Sequence, residues 1–213
     1  MENKTVDVII PAYHPGKEFS TLIERLTKQT FPIHRIIVMN TEETYWNKEL
    51  EEKFSILEVH HLKKQEFDHG ATRACAAELS DADVMVFMTQ DALPADKSLI
   101  ENLVKALTED EKTGAAYANE NCSFVEKYTR SFNYPDRSAV KTKDDLPVYG
   151  IKTFFCSNVC AAYKRDIYQK LGGFVRKAIF NEDMIYAGGL IQAGYGIAYA
   201  AEAKVIHSHN YNC

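Results

Sequence analysis

The stretch VDVIIPAYHPGKEFSTLIERLTKQTFPIHRIIVMN, residues 6–40, decides the fold. Residues 6–13 are an apolar run that reads as a β-strand and breaks at His14, Pro15 and Gly16. Phe19, Leu22, Ile23 and Leu26 then recur at i, i+3, i+4 and i+7, the period of one buried helix face, which predicts a helix over 16–29. RIIVMN (35–40) is a second apolar strand. Strand, helix and strand in this order form a βαβ unit, so the two strands run parallel and the crossover is right-handed.

The same alternation continues outward. FSILEVHHL (54–62) reads as a third strand, ATRACAAELS (71–80) as an Ala-rich helix and DVMVFMT (83–89) as a fourth strand. DKSLIENLVKALTED (96–110) reads as an amphipathic helix with Asp96 as its N-cap. Strands that are apolar throughout need cover on both faces, which predicts an α/β architecture with a mostly parallel sheet. Residues 119–150 show no clear period and read as a functional loop or lid. Beyond them, 154–165 reads as a strand, 166–174 as a short helix ending at glycines, 182–195 as a helix and 196–209 as an extended run. No repeat or linker divides the chain, so 1–213 reads as one domain.

The 213 residues are 46% hydrophobic and 26% charged, with a net charge of −5, an ordinary soluble composition with no general attraction to nucleic acid. The start of the chain lacks a secretory pattern, and no apolar run approaches the roughly 18 residues of a membrane span. The expected location is the cytoplasm, with any membrane contact made peripherally at its inner face. Five cysteines, at 75, 122, 156, 160 and 213, read as free thiols. Cys156 and Cys160, with His207 and His209, do not read as zinc ligands, because their spacing falls in an extended run rather than a metal knuckle.

In open α/β sheets, ligands bind beyond the carboxyl ends of the strands. That rule separates two acidic motifs. Asp81 and Asp83 precede the fourth strand and read as a helix-to-strand turn. Asp91, in FMTQDALP (87–94), follows the same strand and stands at the binding end. Pro11, Ala12 and Tyr13 after strand one, and Asn40 after strand two, should converge on it. No G-x-G-x-x-G, P-loop or G-x-S-x-G motif is present. Acids at strand tips without a phosphate-cradling glycine loop suggest a diphosphate neutralised by a divalent cation.

VDVIIPAYHPG, FDHGATRACAAELSDADVMVFMTQDALP, FFCSNVCAAYKRD, LGGF, FNEDM and YAAEAKVIHSHNY together resemble family 2 glycosyltransferases, most closely bacterial rhamnosyltransferases. The resemblance implies a GT-A fold. It implies inverting transfer of a sugar, rhamnose from dTDP-rhamnose, to a cell-surface polysaccharide or a glycan or lipid-linked glycan acceptor. Carried over residue by residue, it places Pro11, Ala12, Tyr13, Asn40, His69, Gly70, Arg73, Gln90 and Asp91 at the nucleotide sugar. Asn40 stands where many members have an aspartate facing the base. Asp91 matches the last acid of the family's D-x-D motif, and Thr89 stands where its first acid is usual. Asp91 and His207 would hold Mg²⁺ or Mn²⁺, with His209 second. Asp183 matches the catalytic base, with Glu182 orienting its neighbours. Relatives commonly continue past HSHNY, so a C-terminal extension is expected; a homodimer stays open.

The chemistry needs a carboxylate opposite the leaving group, charge neutralisation of the departing diphosphate and a rigidly held donor. Each residue also has a plainer reading. Glu182 and Asp183 could be acids at a helix N-terminus, Asp91 a turn residue and Arg73 part of a solvated face. Trp46 reads as packing rather than stacking on sugar. The aromatic residues of 124–134 fit an acceptor groove or ordinary loop packing. A non-catalytic nucleotide-sugar or partner-binding module is the alternative, and a nucleotidyltransferase is disfavoured because no Gly-rich, Lys-containing phosphate loop is present.

Overall fold

The computed structural model describes residues 4–121, 133–178 and 180–207. In chain order the strands are β1 (Val6–Tyr13), β2 (Arg35–Thr41), β3 (Leu57–Leu62), β4 (Val84–Met88), β5 (Ala92–Pro94), β6 (Thr113–Asn121), β7 (Ala139–Lys141), β8 (Cys160–Lys164) and β9 (Gly196–His207). The helices are α1 (Lys17–Thr27), α2 (Glu49–Lys53), α3 (His69–Leu79), α4 (Leu99–Thr108), α5 (Leu146–Tyr149), α6 (Arg165–Lys170) and α7 (Glu182–Gln192). They build one sheet in the order β3-β2-β1-β4-β8-β6-β9-β5, with β7 paired to β9.

The first half is the parallel βαβ array, with β1 parallel to both β2 and β4 and β2 parallel to β3. The second half is mixed. β8 is antiparallel to β4 and β6, whereas β6 and β9 are parallel. The chain enters β8 at the carboxyl end of β4, so it can only run back down the sheet. That reversal brings the turn before β8 to the end where β1, β2 and β4 finish.

Alternate strand residues feed two cores. Val8, Ile10 and Val86 pack with Phe19, Leu22, Ile23 and Leu26 of α1 and Leu103 and Leu107 of α4. Ile9, Ile37 and Phe87 pack on the other face with Ala76 of α3, Ile167 of α6 and Leu190 and Ile191 of α7. Trp46 is buried against Phe19 and donates from Nε1 to Glu51 at 2.7 Å, so it packs, as its sequence suggests.

Four segments differ from the sequence expectation. The helix expected from Asp96 begins at Leu99; Asp96 instead accepts from the Ser98 amide and hydroxyl, forming the turn before it. The strand expected over 154–165 is confined to Cys160–Lys164, because Ser157 and Asn158 bond to side chains from elsewhere rather than to a ladder. β6 and β7 lie where no element was expected. TGAAYANEN (113–121) has too few large apolar side chains to show a period, yet Ala115, Ala116 and Tyr117 are buried because the strand is central.

The amino ends of the strands carry a structural ion network. Asp7 is fully buried and accepts from Ser80 Oγ at 2.7 Å and Arg35 Nη2 at 3.1 Å, with His34 Nδ1 at 3.0 Å. Arg35 also reaches Asp81 and Glu58, and Asp83 accepts from Thr5. Asp7, His34 and Asp81 bring potential metal-ligand atoms within 4.8 Å of one another. The Arg35 guanidinium already neutralises both carboxylates there, so a cation would have to displace it. Among the described residues no helix is long and apolar enough to cross a membrane.

Candidate active site

The carboxyl ends of β1, β2, β4 and β6 and the turn entering β8 meet on one side of the sheet. Gln90 joins two of them: it accepts from the Tyr13 amide at 2.9 Å and donates to the Tyr13 carbonyl at 2.9 Å. Its side chain therefore acts as one more rung between the tips of β1 and β4, with both ends of the amide engaged by backbone. Asp91 follows immediately. Its neighbour Ala92 pairs with His207 across β5 and β9, which brings the His207 backbone beside the Asp91 position. The His207 side chain and all of His209 lie outside the described residues. The Thr89 amide donates to the Val159 carbonyl at 3.1 Å, tying the β4 tip to the turn before β8.

Asn40 is fully buried at the end of β2. Its Nδ2 donates to the Glu42 carbonyl at 3.2 Å and lies 3.0 Å from His61 Nδ1, while its Oδ1 has no hydrogen-bond partner. Thr41 Oγ1, Thr89 Oγ1 and Arg73 Nε are likewise buried without partners. A buried polar atom left unpaired costs about 1–3 kcal/mol; Arg35 Nε at the amino end and the hydroxyls of Thr153, Tyr186 and Tyr199 are unpaired elsewhere, while the first four lie toward the carboxyl end of the parallel strands. Beside them Tyr13 is 40% exposed and stands edge-on to His14 and Tyr45, and Lys64 lies 5.6 Å from the Tyr13 ring. Glu42, Lys63, Lys64 and Gln65 line a pocket of about 500 Å³ at this corner. Tyr45, Lys63 and Lys64 were missed in the sequence; their signal was that they follow the carboxyl ends of β2 and β3. Another pocket, about 680 Å³ and lined by Lys4, Asp83, Lys164 and Arg165 among others, lies at the opposite end of the sheet.

The acids of α7 sit against α3 and the turn before β8. Asp68 caps α3 by accepting from the Ala71 amide at 2.8 Å. Gly70 is small because a Cβ there would lie 2.0 Å from the Val175 carbonyl oxygen; the close approach is to the chain itself. Arg73 Nη1 lies 3.1 Å from Glu182 Oε1, with only 7% and 6% of the two side chains exposed, and it also donates to the His69 carbonyl at 3.3 Å. Asn181 precedes α7 with φ 65°, a conformation asparagine tolerates better than most residues, and the turn aims Glu182 and Asp183 inward.

Asp183 Oδ2 accepts from the Asn158 amide at 3.1 Å and Oδ1 from the Met184 amide at 2.7 Å. Burial raises its pKa above the ordinary aspartate value and the Glu182 charge adds to that, against the two N–H groups and Arg73. Asn158 also donates from Nδ2 to Glu182 Oε1 at 3.1 Å. A partly buried carboxylate with raised basicity and fixed hydrogen bonds is suited to taking a proton from a hydroxyl.

A further acid sits nearby on β6. Glu120 is buried and accepts from Ser157 Oγ at 2.8 Å and from the Tyr134 hydroxyl. Tyr134 packs edge-on against Tyr117, Phe155 and Tyr199. The other aromatic residues proposed for an acceptor groove, 124–132, lie outside the described residues. Glu120 fell in the aperiodic stretch and had no motif to mark it.

The overall arrangement is that of GT-A glycosyltransferases: the structure superposes on a mannosyltransferase from Pyrobaculum calidifontis, solved with GDP-Man and Mn²⁺, with TM-score 0.75 at 17% identity over 98% of this chain and 58% of that one. The family model for glycosyl transferase family 2 matches residues 7–172. The chain is 37% identical over 210 residues to the O-antigen chain rhamnosyltransferase RfbN of Salmonella typhimurium, and 35% identical to the O-antigen chain rhamnosyltransferase WbaN of Salmonella anatum. These alignments cover 97% and 96% of this chain and 67% and 66% of those proteins, so the chain spans about two thirds of their length. The chain belongs to glycosyl transferase family 2.

Proposed function

We propose that this chain is the catalytic domain of an inverting glycosyltransferase that moves a sugar, rhamnose from dTDP-rhamnose, onto a growing cell-surface polysaccharide. The observation that carries the reading is the half-buried Asp183, held by two backbone N–H groups and pushed to higher pKa, on the same side of the sheet as the Asp91 strand tip. That the two Salmonella relatives are O-antigen chain rhamnosyltransferases supports the donor and acceptor class.

In this reading Asp183 takes the proton from the acceptor hydroxyl as its oxygen attacks the anomeric carbon, and the nucleoside diphosphate leaves from the opposite face. Pro11, Ala12, Tyr13 and the unpartnered Asn40 Oδ1 line the nucleoside, and Gln90 fixes the strand tips it rests on. His69 stands at the start of α3 on the donor side in this reading, Gly70 beside it makes room for Val175, and Arg73 holds Glu182 in place. Asp91 and His207 are the residues that would hold Mg²⁺ or Mn²⁺, whose charge would offset the leaving diphosphate. Thr89 supplies a buried hydroxyl with no partner rather than a second carboxylate, so this donor set suits a weakly held cation. The work would be done in the cytoplasm, where nucleotide-activated sugars are available, on a glycan or lipid-linked glycan acceptor.

The test is release of nucleoside diphosphate from dTDP-rhamnose and other nucleotide sugars with Mg²⁺ or Mn²⁺, using wild type and Asp183→Asn. A general base contributes about 10²–10⁴-fold, so the variant should lose at least that lower factor while retaining donor binding by thermal shift. Equal turnover in the two proteins overturns the assignment of Asp183, and no response to any nucleotide sugar overturns the function.

A further inference from the structure

We propose that Asn158 is a positioning residue that fixes both carboxylates of α7 and sets the separation between the acid that takes the proton and the strand tip that holds the donor. The proposal rests on reading Asp183 as the base. Asn158 lies in the turn before β8 and is 3% exposed. It uses its backbone for one acid and its side chain for the other: its amide N–H donates to Asp183 Oδ2 at 3.1 Å and its Nδ2 donates to Glu182 Oε1 at 3.1 Å. Its Oδ1 accepts from the Tyr163 hydroxyl at 2.8 Å. A carboxylate can only accept, so the Nδ2 must face Glu182 and the Oδ1 must face Tyr163. The side-chain amide therefore has one orientation.

Tyr163 is an immobile support. It is fully buried in β8 and packs edge-on against Phe87, Phe174 and Tyr186. The next residue of the turn completes the link, because the Val159 carbonyl accepts from the Thr89 amide two residues before Asp91. One short turn thus ties the proton-accepting acid to the donor end of the sheet. Asn158 lies within FFCSNVCAAYKRD, which contributes to the family resemblance, but that stretch reads as strand and gave the residue no role.

The groups around Asp183 that could change its charge state are Glu182 on α7, Arg73 on α3, whose Nη1 lies 3.4 Å from His69 Nδ1, and Cys156 and Tyr163 beside the turn. Burial pushes the Cys156 thiol up to about 12 and the Tyr163 phenol well above its ordinary value, so both are neutral near neutral pH. Asn158→Asp keeps the shape of the side chain and its acceptor for Tyr163 but sets an acid against Glu182. Asn158→Ala removes both side-chain bonds and adds no charge.

Steady-state rates with varied donor and the pH profile of kcat/KM, measured for wild type, both Asn158 variants and Asp183→Asn, test the idea. Misplacing a reacting group by about 1 Å can cost on the order of 10²-fold, so kcat should fall about tenfold or more in each Asn158 variant, with donor KM within about twofold. The acid limb should move to higher pH in Asn158→Asp, because added negative charge favours the protonated base. If Asn158→Asp does not fold, kcat and donor KM of Asn158→Ala decide. A folded variant with kcat within about twofold of wild type and an unmoved acid limb overturns the role of Asn158. If that result accompanies a dead Asp183→Asn, only this inference fails; an active Asp183→Asn removes the base assignment and this inference together.

Discussion

Replacing Arg73 by Met should be among the most damaging single changes in the chain, although on sequence the residue reads as a nucleotide contact or, more plainly, as part of a solvated face. In the structure Arg73 and Glu182 meet at 3.1 Å with 7% and 6% of their side chains exposed. Removing the arginine leaves the Glu182 carboxylate buried, with the Asn158 side-chain amide donating to it but no charge to balance it. Breaking a buried pair from one side costs about 3–5 kcal/mol, because the abandoned charge stays desolvated. For a chain of this size each kcal/mol lowers Tm by about 2–4 °C, so the expected fall is about 6–20 °C. Urea unfolding of Arg73→Met, Glu182→Gln and the double variant measures it. The double variant should recover much of the single losses, because neither charge is then stranded, and the coupling should change little between low and high salt. A loss under about 1 kcal/mol with no coupling would mean the pair behaves as a surface ion pair, and the account of how α3 holds α7 would be wrong.

The other predictions concern separate parts of the molecule. Gly70→Ala places a methyl 2.0 Å from a backbone oxygen that cannot swing aside, so the free energy of unfolding should fall by about 1–3 kcal/mol; an unchanged value would show that Val175 moves freely. Lys141 bonds to the Phe155 carbonyl at 2.6 Å, yet burial lowers its pKa to about 8. A depressed lysine leaves the unfolded chain holding more protons between about 8 and the ordinary lysine value near 10.4, so its contribution to stability should rise with pH across that window and be lost as pH falls through about 8. Stability against pH for wild type and Lys141→Met should diverge there, and parallel curves would refute it. Exposed Cys75 should react rapidly with a thiol reagent in the native protein, whereas buried Cys156 and Cys160, both raised by burial, should react on unfolding; native labelling of either mapped by mass spectrometry would contradict the packing.

The parallel half of the sheet was legible in the sequence alone, and so was the end of it on which the proposed site residues gather. Those features are local: a strand's apolar run and a helix's 3.6-residue period are written in neighbouring residues, and parallel pairing follows from the connection between them. It also separated Asp91 from Asp81 and Asp83, because that distinction depends on which end of one strand each occupies. The rest depended on contacts between segments far apart in the chain. β6 is buried by neighbours far away in the chain rather than by its own hydrophobicity, so alanines suffice there. Gln90 and Gly70 looked like groups offered to a ligand, yet one is engaged by the Tyr13 backbone and the other makes room for Val175. Neither Asn158 nor Glu120 carried a role legible in the sequence. Their positions come from β8 returning antiparallel beside β4, a reversal that brings one turn against α7, β4 and β6 at once. Hydrogen bonds between residues distant in sequence leave no period behind, which is why the acids could be proposed from the sequence while the residues that aim them could not.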